Sequence, residues 1–79
     1  MNTLNIDNIQ WIIVSAFGKP AFVYADSHSI MYDPNKRCFK LYEGLNTIVQ
    51  RQTASECLKI ATKVIYNYAA RAFVPMWEN

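Results

Sequence analysis

Glycine is scarce in this 79-residue chain, occurring only at Gly18 and Gly44, and histidine occurs once, at His28. With so little glycine there is no Gly-rich loop to cradle a phosphate, and with one histidine there is no second general base of that kind. Cysteine is limited to Cys38 and Cys57, which form no CxxC. Two buried thiols in a reducing cytosol are the expectation, with a Cys38–Cys57 disulfide the alternative. Charge of one sign is not in excess either: the net charge is +2, whereas dedicated nucleic-acid binders usually carry a stronger basic surplus. The longest apolar run, Trp11-Ile12-Ile13-Val14, is far short of a membrane span. Met-Asn-Thr-Leu-Asn at the start has no basic n-region, so a secretory signal is not expected. These absences point to a cytoplasmic protein without a membrane segment.

Apolar and aromatic side chains are plentiful, at 52% and 14% of the residues. That balance excludes wholesale disorder and gives a small chain enough area for one core. No repeat, low-complexity tract or linker divides it, so residues 1–79 are read as a single domain.

The chain is organised around Thr53–Ala72. Ala54, Cys57, Leu58, Ala61, Val64, Ile65, Tyr68, Ala69 and Ala72 recur at helical spacing on one face. Thr53-Ala54-Ser55-Glu56 is a capping box: the Thr53 hydroxyl accepts from the Glu56 N–H, and the Glu56 carboxylate reaches back to the Thr53 N–H. Pro75 prevents much continuation beyond Phe73. A lone helix of this length is marginal in water, so the earlier chain must supply a surface for its apolar face.

That surface is expected to be a small antiparallel sheet. Residues 1–6 form a lead-in. Asp7–Phe17 carries a capping-box-like start (Asp7-Asn8-Ile9-Gln10), one apolar face (Ile9, Ile12, Ile13, Ala16, Phe17) and Gly18 with Pro20 as stop signals. These favour a short N-terminal helix over the hairpin that β-branched Ile12-Ile13-Val14 would suit. Ala21–Ala25, Ile30–Tyr32 and Cys38–Tyr42 read as strands, with a fourth through Thr47-Ile48-Val49. Asp26–Ser29 and Asp33-Pro34-Asn35-Lys36 read as turns. The fold class is therefore α+β: three or four antiparallel strands packed against a long C-terminal amphipathic helix, with a short N-terminal helix beside it.

Candidate chemistry is thin. Asp26-Ser27-His28-Ser29 has the residue types of a hydrolase triad, but four consecutive turn residues do not converge as a working triad must. Asp26, His28 and Asp33 have no zinc- or calcium-loop spacing. No catalytic residue, metal site or cofactor is assigned, and the chain is read as a non-enzyme.

Binding features are better represented. Lys59, Lys63, Asn67 and Arg71 form a stripe on the solvent side of the helix, with Arg51 just before it and Lys36, Arg37 and Lys40 around a hairpin. With Phe22 and Tyr24, Ile30 and Tyr32, and Lys40 and Tyr42 each sharing a strand face, Tyr24, Tyr32 and Tyr42 are expected together on the uncovered side of the sheet. Val23, Met31, Phe39 and Leu41 would then lie under the helix. Trp77, in the apolar tail Phe73–Asn79, either folds back on the core or inserts into a partner. The expected function is a small protein-binding module, an inhibitor or adaptor of larger machinery of phage or mobile-element type, with homodimerisation as one option. It would use Tyr24, Tyr32, Lys40, Tyr42, Lys59, Lys63, Arg71 and Trp77. The alternative is a nucleic-acid binder that uses the basic stripe and stacks bases on the sheet aromatics.

Overall fold

The computed structural model describes residues 2–72. Six strands precede one helix: β1 (Thr3–Ile6), β2 (Ile9–Ala16), β3 (Lys19–Tyr24), β4 (His28–Asp33), β5 (Cys38–Glu43), β6 (Asn46–Arg51) and α1 (Ala54–Ala72). The strands form one antiparallel meander in sequence order. The class is α+β as expected, but the sheet is larger than the three or four strands read from the sequence. No N-terminal helix forms over Asp7–Phe17, and the lead-in contributes β1.

The expected helix is overturned by turn chemistry. Asp7 and Asn8 have φ of 51° and 66°, and Phe17 and Gly18 have 56° and 74°. Paired positive φ values in a two-residue loop mark a type I′ turn, whose twist matches the strands it joins. Asp7-Asn8 thus closes the β1–β2 hairpin instead of capping a helix, and Gly18 closes β2–β3 instead of ending one. With both ends reassigned, β-branched Ile12, Ile13 and Val14 take the extended form they prefer. Trp11 decides the matter: it lay off the proposed helical face, yet it is fully buried on the strand face that also carries Ile9.

Register then fixes which side chains meet. Ile13, Phe22, Ile30, Leu41 and Val49 face one another across successive pairs and make a continuous apolar row. Cys57, Leu58, Ala61 and Ile65 of α1 close over that side in one core cluster with Ile9, Trp11, Phe22, Ile30 and Leu41. The β1–β2 turn folds toward the helix, where the Tyr66 hydroxyl donates to the Asp7 carbonyl.

The start of α1 is as expected, with one change of partner. The Glu56 N–H donates to Thr53 Oγ1 at 3.2 Å, but the Glu56 carboxylate accepts from the Thr53 hydroxyl at 3.1 Å. Among the described residues, no helix is long and apolar enough to cross a membrane.

Candidate binding surface

The helix covers one face of the sheet, and no further described helix or strand covers the other. Two rows make up this open face. Thr3, Ile12, Val23, Ser29, Tyr42 and Thr47 are cross-strand partners in the first. In the second, Val14 pairs with Ala21, and Met31 with Lys40, which pairs with Gln50. Val14 is 45% exposed, and Ile12, Val23, Met31 and Tyr42 are half-buried. The small side chains of Ala21 and Cys38 form the floor, at 1% and 5% exposure.

The expected tyrosine cluster does not form. Phe22, Tyr24, Ile30 and Tyr32 belong to the helix side, whereas Val23, Met31, Lys40 and Tyr42 belong to the open side. Phe39 and Leu41 are under the helix, as expected. The loops set this relation by fixing Tyr24 opposite His28 and Asp33 opposite Cys38, and a one-residue change in register exchanges the faces of a strand. Tyr24 instead stacks obliquely between Trp11 and His28, at centroid distances of 5.9 and 6.5 Å. Tyr32 meets the Phe39 ring edge-on and receives the Lys19 ammonium 5.5 Å from its centroid. Only Tyr42 is where the base-stacking and interface readings wanted it.

Lys40 is on the open face but already partnered. Its Nζ is 2.7 Å from Asp33 Oδ2, and both side chains are largely covered, at 16% and 18% exposure. The Lys40 ammonium holds the Asp33 carboxyl below its usual range, helped by backbone N–H donors, and Asp33 raises Lys40 in return. Asp33 Oδ1 also accepts from the N–H groups of Asn35 and Lys36 at 2.9 and 3.3 Å, which fixes the turn beyond β4.

Lys59, Lys63 and Asn67 are exposed along α1 as the spacing required, beside half-buried Ile60 and Val64. Arg71 is on the last turn of α1, with its side chain outside those described, and Trp77 is outside the described residues. The helix stripe and the open sheet face are therefore separate surfaces, on opposite sides of the molecule.

Comparison with known protein families, with curated proteins and with solved structures finds no match. Function has to be read from geometry alone.

The other polar centre is His28, the one buried charged or polar residue among those described. Its Nδ1 is 2.8 Å from Ser27 Oγ and its Nε2 is 3.6 Å from Glu43 Oε1. Desolvation lowers its pKa, and Glu43 offsets this in part. Serine, histidine and carboxylate thus stand in triad order, with Glu43 from the neighbouring strand where the sequence offered Asp26. The imidazole is fully buried, Tyr68 meets it edge-on at 5.3 Å, and the carboxylate is beyond hydrogen-bond reach. A general base needs access to a substrate proton, so this arrangement reads as a buried polar anchor for the end of the sheet. The Gly44 N–H, donating to the Ser27 carbonyl at 2.8 Å, ties two turns together there. Among the described residues, no group of three or more His, Cys, Asp or Glu side chains could hold a metal ion. Both cysteines are free and buried, and burial pushes the Cys57 thiol up.

Sequence reasoning missed Ile12, Val14, Val23 and Met31 as surface residues, and Phe17 as an exposed aromatic. A signal for the first two was present. Trp11-Ile12-Ile13-Val14 is apolar at consecutive positions, and in a strand that means apolar side chains on both faces. One of those faces meets the helix.

Proposed function

We propose that this chain is a small non-enzymatic binding protein that acts through protein–protein contacts, as an inhibitor or adaptor of a larger assembly. The observation that carries this reading is the open sheet face, where Ile12, Val14, Val23, Met31 and Tyr42 form an apolar centre between the polar edge-strand positions Thr3 and Asn5 on one side and Thr47 and Gln50 on the other. An apolar centre with a polar rim is the anatomy of a protein interface, and exposed Val14 with its half-buried apolar neighbours is the part of this face that a partner would cover. The cytoplasm is the compartment proposed, on the strength of two buried, unpaired thiols.

A second reading, phosphate binding, draws on exposed Lys59 and Lys63. One experiment separates the two. Tagged protein is used to capture partners from lysate at low and high salt, with and without nuclease, alongside the Val23→Lys and Lys63→Glu variants. Capture of a protein that survives salt and nuclease and is lost with Val23→Lys supports the sheet face. Capture that is lost with salt, nuclease or Lys63→Glu moves the function to the helix stripe.

A further inference from the structure

We propose that the partner on the open sheet face is a second copy of this chain, packed sheet on sheet with the two α1 helices outward. The inference rests on the reading that this face docks protein, and adds the identity of the occupant.

Charge is the first argument. Among the described residues, the ionised side chains at the centre of the face, Asp33 and Lys40, neutralise each other at 2.7 Å. Lys19, at the end of β3, has its ammonium over the Tyr32 ring. Apart from that lysine at its corner, the face presents no net charge. An acidic or basic partner would find little to complement, whereas a second copy would meet no like-charge repulsion across the centre.

Size is the second argument. Six strands about 4.8 Å apart and five residues long at about 3.3 Å each give a face of roughly 400 Å² in projection. Two such faces remove on the order of 1,000 Å² of accessible surface, the lower bound for a specific interface. No large binding partner is needed to reach it.

Pattern is the third. β2 is apolar on both sides from Trp11 to Val14, as in strands buried on both faces. In aligned sheet packing, side chains of two facing sheets interdigitate across about 10 Å. Exposed Val14 and half-buried Val23 are the side chains placed to do this, beside the floor made by Ala21 and Cys38. The face is built entirely from strands, so one two-fold axis brings each copy the same surface that it offers.

The test is the molar mass of the purified chain in solution by sedimentation equilibrium over a range of micromolar concentrations, for wild type, Val14→Lys and Val23→Lys. Circular dichroism checks that each variant is folded. Val14, at 45% exposure, tolerates lysine in a monomer, so that variant remains informative even if Val23→Lys fails to fold. The expected result is a two-chain mass for wild type and a dissociation constant raised at least about tenfold in each folded variant, because a lysine would be desolvated at the contact. A one-chain mass for wild type at every concentration overturns the inference, and so does a two-chain mass that both variants leave unchanged. If wild type is a monomer and Val23→Lys still abolishes protein capture from lysate, the binding reading stands without self-association. If capture too is unchanged, both fall.

Discussion

His28 and Glu43 face each other across β4 and β5 with Nε2 3.6 Å from Oε1, close enough for attraction but not for a hydrogen bond. Burial is the larger influence and lowers the histidine pKa from its usual value of 6.5. The folded state thus binds a proton less readily than the unfolded state. Stability from this group is fully present above the unfolded value and is lost as pH falls below it. Urea midpoints should therefore decline between about pH 7 and pH 5, and His28→Phe should flatten that slope. A wild-type midpoint that rises toward acid would contradict the assignment.

Asp33 holds more than its ion pair. Its carboxylate accepts from two backbone N–H groups and from Lys40. Asp33→Ala should lower the melting temperature more than Lys40→Ala, since only the former loses the turn. Asp33→Asn should fall between them. Equal effects of the two alanine variants would show that the lysine contact alone matters.

Phe17 occupies a left-handed position, at φ 56°, with its side chain 66% exposed. A side chain there costs about 1 kcal/mol that asparagine largely avoids, and Asn-Gly is the preferred pair for this turn. Phe17→Asn should stabilise the fold by about that amount and raise the melting temperature by roughly 4–8 °C. Unchanged or lower stability would mean that the exposed ring has a compensating contact.

Trp11 is fully buried, and its Nε1 has no hydrogen-bond partner among the described residues. Its contribution is therefore packing. Trp11→Ala should cost about 3–5 kcal/mol and Trp11→Phe clearly less, read from urea denaturation. A phenylalanine variant as damaged as the alanine one would point to a role for the indole N–H.

What the sequence made legible follows from how local each signal was. The Thr53 hydroxyl cap on the Glu56 N–H and the exposure of Lys59, Lys63 and Asn67 depend on spacing within one helix, and both are found. The return contact of Glu56 goes to the Thr53 hydroxyl and not to its N–H. The strands β3 to β6 were visible because Asp33-Pro34 and Gly44 punctuate them. Asp7-Asn8 and Phe17-Gly18 were misread because the same residue types serve helix ends and type I′ turns alike. The tyrosine surface failed for a different reason. Whether Tyr24 and Tyr42 share a face depends on the register through two loops, and strand-by-strand alternation carries no information about that.

Every strand of the meander pairs with its neighbour in sequence, so the sheet assembles through short loop closures and should do so quickly. The core does not close at that stage. Trp11, Ile30 and Leu41 are covered by a helix that begins only at Ala54, after the last strand. During synthesis from the N-terminus, all six strands are made before the helix that covers their apolar side. The interval before residues 54–65 leave the ribosome is therefore when this chain is most prone to stick to others, and a stop before Ala54 would make that state permanent.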